Sequence, residues 1–93
     1  MIFAIIETDL HLPGNASLKD KRQVLQSLKT GLRNKFNVSV AETGSRDLWQ
    51  RAELGLAVVA GDRLVLENEV SRILDFIHCR EGVVVIKDSV EYI

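Results

Sequence analysis

The chain has 93 residues, 46% hydrophobic and 27% charged, with six Gly, one Pro and a formal net charge of −1. That length makes one domain, residues 1–93, with a core large enough to fold alone at modest stability. The composition excludes a disordered or low-complexity chain, and the near-neutral total gives no global attraction to nucleic acid or membrane.

The apolar runs are short and interrupted by charges, so no transmembrane helix fits. Residues 1–6 are apolar but lack a basic flank and meet Glu7 and Asp9 at once, which reads as a strand and not as a signal peptide. The single Cys79 has no internal partner for a disulfide, in keeping with a reducing cytoplasm, and falls far short of a thiolate metal site.

Residues 2–12 alternate with period two. Ile2, Ala4, Ile6, Thr8, Leu10 and Leu12 share one face; Phe3, Ile5, Glu7, Asp9 and His11 share the other. This is a strand with one face in the core, broken by Pro13-Gly14-Asn15. Ser17 followed by Asp20 resembles a capping box with a shortened acid. Leu18, Leu25, Leu28, Leu32 and Phe36 then recur at helical spacing, predicting a helix over 18–35. Gly31 inside it costs about 1 kcal/mol relative to Ala and marks a close packing contact.

Residues 38–41 read as a second strand, and 43–47 as a loop. Residues 49–60 alternate again, placing Trp49, Arg51, Glu53 and Val59 on one face and Ala52, Leu54, Leu56 and Val58 on the other. Asp62 is a good N-cap for a second helix marked by Leu66, Val70, Ile73, Leu74 and Ile77. Gly82 stops it, and residues 83–93 form the last strand.

The order βαββαβ, with right-handed crossovers, implies an α+β ferredoxin-like sandwich. Its antiparallel sheet has strand order 4-1-3-2, with both helices on one face and the other face open.

Several stretches carry a resemblance. Asp9-Leu10-His11-Leu12-Pro13-Gly14, Ser17-Leu18-Lys19-Asp20-Lys21-Arg22, Phe36-Asn37-Val38-Ser39-Val40-Ala41-Glu42 and Asp47-Leu48-Trp49-Gln50-Arg51-Ala52 with Gly55, in that order, resemble the small bacterial YlxP-like proteins. That family is a domain of unknown function. The resemblance implies a ferredoxin-like fold and a bacterial cytoplasmic protein. Its genes often lie beside those for translation initiation and ribosome maturation, which implies a connection to RNA or the ribosome. No functional residues are established for the family, so none transfer to this chain.

Two constellations could bear a function. The first is the initial helix, whose residues 17–36 hold six Lys or Arg and one acid, net +5 against −6 for the rest. On a helical wheel Arg22, Gln26, Lys29 and Arg33 form one stripe, with Lys19 beside it, about a quarter-turn from the leucines. Several cations on a rigid surface suit phosphate binding by counterion release, and Lys19, Lys21 and Arg22 lie near the helix N-terminus, where free N–H groups favour anions. A solvated helix face is the plainer reading of the same charges. The candidate RNA contacts are Lys19, Lys21, Arg22, Lys29 and Arg33.

The second is the open sheet face, with Phe3, Ile5, Glu7, Asp9 and His11 on one strand and Trp49, Arg51 and Glu53 on its neighbour. Glu7, Asp9 and His11 could serve acid–base or metal chemistry. Strand neighbours about 7 Å apart do not converge on one ion, however, and a cross-strand ion-pair lattice or a subunit interface accounts for the same residues. Phe3 and Trp49 would be the aromatic platforms of a sheet that stacks bases, but Glu7, Asp9 and Glu53 would repel the backbone.

Three readings therefore stand. One is a non-enzymatic factor touching RNA or a ribosomal particle through the first helix. Another is a homo-oligomer joined by the open sheet or an edge strand. The third is a small enzyme built on Glu7, Asp9 and His11. Nothing in the sequence calls for a cofactor, a metal or an assigned catalytic residue, and no phosphate loop or nucleophile elbow is present.

Overall fold

In the computed structural model, which describes residues 1–93, the first strand β1 (Ile2–His11) buries Ala4, Ile6, Thr8 and Leu10 and turns the intervening side chains outward. Thr8 is the polar member of that inner row, and its hydroxyl donates to Leu54 O at 3.4 Å.

Helix α1 spans Leu18–Lys35. Ser17 caps it: the hydroxyl accepts from Asp20 N at 3.1 Å. The Asp20 carboxylate accepts from Ala16 N at 2.9 Å, one residue upstream of the N–H that a capping-box Glu takes. Strands β2 (Val38–Gly44) and β3 (Arg51–Ala60) follow, then helix α2 (Arg63–His78) and strand β4 (Val84–Tyr92). Asp62 caps α2, its carboxylate accepting from Val65 N at 2.9 Å.

The sheet runs β2-β3-β1-β4 and is antiparallel throughout, the ferredoxin-like order read from its other edge. One core lies between sheet and helices. Ile6, Leu10, Leu54 and Leu56 from the central strands meet Leu25, Leu28 and Leu32 of α1 and Leu66, Ile73 and Ile77 of α2. Gly31 is the tight point between the helices. A methyl group there would sit 2.9 Å from Cζ of Phe76, which packs edge-on against Phe36 with ring centroids 5.8 Å apart.

Strand ends differ from the pattern expected. β2 continues to Gly44 because its ladder with β3 passes Glu42 through a register shift, so the loop begins at Ser45. β3 begins at Arg51, two residues later than the alternation suggests. Trp49 and Gln50 are claimed instead by the turn after β1: Leu12 N donates to Gln50 O at 2.8 Å, and Asn15 Nδ2 donates to Trp49 O at 3.1 Å. β4 begins at Val84, leaving Val83 buried ahead of it.

Backbone proximity places α1 over β2, while α2 spans β3, β1 and β4. Since β2 is an edge strand, one flank of α1 runs along the margin of the sheet. That placement creates the groove described next.

Candidate functional site

The stripe of Arg22, Gln26, Lys29 and Arg33 is largely exposed and borders the free edge of β2. Arg33 reaches down to it, donating from Nη2 to Val40 O at 2.9 Å. Above Arg33 the helix and the end of β2 enclose an open groove of about 860 Å³. Arg22, Gln26 and Lys29 form its helix wall; Glu42, Arg46 and Asp47 form the opposite wall. Lys19 is exposed on the same helix but stands outside the groove.

Lys21 has to be removed from the set of candidate RNA contacts. It is 2% exposed, and its ammonium lies under the loop that follows β2. Nζ donates to Ser45 O at 2.6 Å and to Arg46 O at 3.4 Å, and it lies 2.9 Å from Glu42 Oε2. The Glu42 contact is an ion pair whose orientation is not that of a hydrogen bond. A cation so enclosed cannot release counterions from a phosphate; it fixes the loop.

In its place the fold supplies Arg46, which the sequence reading did not single out. With Lys21 and Glu42 neutralising each other, the groove keeps three free cations, Arg22, Lys29 and Arg46, against one free carboxylate, Asp47. Arg22 and Lys29 stand on α1 and Arg46 on the turn after β2, all three lining the one groove.

The charged half of the open face holds one ion pair and one side-chain hydrogen bond from the neighbouring loop, short of the lattice expected. Arg51 Nη2 bonds Asp9 Oδ2 at 2.7 Å, and Glu53 accepts from the Ser45 hydroxyl at 2.8 Å. The register sets Asp9 opposite Glu53 on one side and Lys87 on the other, and His11 opposite Arg51. A shallow depression of about 120 Å³ gathers Glu7, Asp9, Glu53 and Lys87 but leaves out His11. Glu7, Asp9 and His11 thus do not converge, and no group of three His, Cys, Asp or Glu side chains could hold a metal ion.

The aromatic pair expected on this face is also split. Phe3 pairs with Val59 at one end of β3, whereas Trp49 lies in the loop beyond its other end, on the order of 30 Å away. The half around Phe3 is apolar, with Ile5, Ala57 and Val59 beside it.

A family model described as a protein of unknown function (DUF503) matches residues 3–89. The chain belongs to this family. It is also similar to the uncharacterized protein YlxP of Bacillus subtilis (strain 168), at 49% identity over 61 residues, or 66% of each chain. Among solved structures it resembles the de novo designed protein Foldit4, with a TM-score of 0.53 and 15% identity, covering 98% of this chain and 96% of that one. That likeness speaks for the fold alone.

For this member of the family, the remaining candidates are structural or isolated. Cys79 is exposed at the end of α2. The neighbouring His78 points to β4, with Nε2 3.0 Å from Asp88 Oδ2. Leu64 and Val65 are exposed on the first turn of α2, whereas Phe76 is occupied by Phe36. No helix is long and apolar enough to cross a membrane.

Proposed function

We propose that this protein is a non-enzymatic accessory factor that contacts RNA, on its own or within a ribosomal particle, through the groove between α1 and the end of β2. The observation that supports this reading is the juxtaposition of Arg22, Lys29 and Arg46 across one open groove in a chain of net charge −1. A nearly neutral protein that gathers free cations on one surface has a local electrostatic footprint there. The opposite face, with Glu7, Asp9 and Glu53, repels the same ligand and so orients its approach.

The test is a charge reversal. Arg22→Glu, Lys29→Glu and Arg46→Glu are combined, and binding to ribosomal RNA and ribosomal particles is followed against salt. Three lost phosphate contacts predict a salt slope shallower by about 2 and an affinity lower by at least about tenfold near 0.1 M salt. Asp47→Asn, which removes the one opposing charge, should tighten binding. Unchanged affinity and slope in the triple variant would reject the proposal.

A second reading concerns self-association, favoured by the apolar half of the open sheet around Phe3, Ile5 and Val59. A twofold axis sets like patch on like patch, which suits an apolar surface and not the acidic half. Sedimentation at micromolar concentration decides it: a monomer unaffected by Ile5→Lys counts against that reading.

A further inference from the structure

We infer that the groove takes a single strand of RNA, with Trp49 as the platform on which an unpaired base stacks at the groove's end. This rests on the RNA reading above and adds the form of the ligand and a residue outside the basic stripe.

The argument begins with how residues 45–50 are held. Ser45 has φ +57, the one non-glycine residue with positive φ, a conformation side chains adopt at some cost. From there the backbone is pinned at both ends by polar side chains almost wholly withdrawn from water. Lys21 holds the carbonyls of Ser45 and Arg46, and Asn15, 5% exposed, holds that of Trp49. Gln50 Nε2 closes the second anchor on Asn15 O at 3.0 Å. Leu48 N donates to Ser45 O at 3.1 Å within the turn.

Yet the large apolar side chains of this well-held loop are left out. Leu48 is 53% exposed and Trp49 52%. A fixed backbone with a half-bare indole is a preorganised surface, because little further ordering is needed when something lies against it.

The position of the indole selects the ligand. Asp47 lines both the basic groove and the shallow apolar depression at Leu48 and Trp49, so the two adjoin at that residue. A strand whose phosphates meet Arg22, Lys29 and Arg46 can bring a base to Trp49 within a few nucleotides. A positive groove ending in an exposed aromatic face is the arrangement by which single strands are held with little sequence preference. A duplex offers no free base face to an indole, and its bases stay stacked within the helix. Asp47 beside the indole weakens a purely anionic ligand, which gains nothing from stacking to offset it.

Trp49 is the only tryptophan, so its fluorescence reports on this residue alone. End-labelled single-stranded RNA of about ten nucleotides, the matching hairpin duplex and inorganic polyphosphate are titrated in turn. Anisotropy of the label reads RNA binding, competition against the labelled strand reads polyphosphate, and indole emission reads stacking. The expected result is binding of the single strand with quenching of Trp49. Trp49→Ala should weaken that binding by about 5- to 100-fold with the salt slope retained. Trp49→Phe should recover most of the affinity, and circular dichroism checks that both variants fold.

RNA bound without quenching, equal affinity for the duplex or for polyphosphate, or Trp49→Ala binding like the parent would each overturn the stacking inference while leaving the RNA reading in place. Absence of binding to any RNA by anisotropy overturns both.

Discussion

Replacing Lys21 by Met removes the cation from beneath the loop and leaves the Glu42 carboxylate, whose side chain is only 19% exposed, facing an apolar group. Breaking a buried pair by deleting one partner costs about 3–5 kcal/mol, and the partial access of Glu42 to water puts this case near about 3 kcal/mol. In a domain of this size that corresponds to a fall in Tm on the order of 10–20 °C. The double variant Lys21→Met, Glu42→Leu removes both charges. What it still lacks is the donor to Ser45 O and Arg46 O, a loss of about 1–2 kcal/mol in total because loop carbonyls can turn to water. The double variant should therefore be more stable than the single one. Urea titration and thermal melts followed by circular dichroism measure both. A single variant that loses less than about 1 kcal/mol, or a double variant no better than the single, would refute the account of Lys21 as a paired, buried anchor.

Two further changes probe the packing and the caps. Gly31→Ala gains about 1 kcal/mol of helix propensity but forces Phe76 from its place against Phe36, at a cost of about 1–3 kcal/mol, so a net loss of about 1 kcal/mol is expected. In a Phe76→Leu background the same change should become neutral or stabilising, as chemical denaturation of the four variants will show. Asp62→Ala should cost about 1 kcal/mol by leaving Val65 N without its carboxylate, and Asp62→Asn should retain most of that; a loss equal in both would contradict the capping role.

The fold was legible where local and global signals agreed. Ser17 and the leucines define α1, and two crossovers leave one sensible strand order. The site was less legible. Lys21 stands four residues before Leu25, seven before Leu28 and eleven before Leu32, which is the spacing of a core position. Read with that period, it signals a buried lysine and hence a buried acid partner; read only as part of a basic run, it passes for a surface charge. Arg46 could not be found from a helical wheel, because its place beside α1 depends on the length of β2 and the bulge after Glu42. Trp49 was set on the sheet because alternation continues past the point where Asn15 and Leu12 capture the backbone. Patterns of period two record which way a side chain would point, not where a ladder stops.

The hydrogen bond from Arg33 to Val40 O has a consequence for how copies of this chain behave at high concentration. An edge strand is a template on which a neighbour's strand can pair, and continued pairing makes ribbons and aggregates. Arg33 occupies an acceptor that such a strand would need and sets a positive charge beside it. At the other edge, β4 is interrupted where Ile86 has no partner between Val85 and Lys87. Each margin of the sheet thus carries an obstacle to extension, a guanidinium at one and a bulge with a lysine next to it at the other.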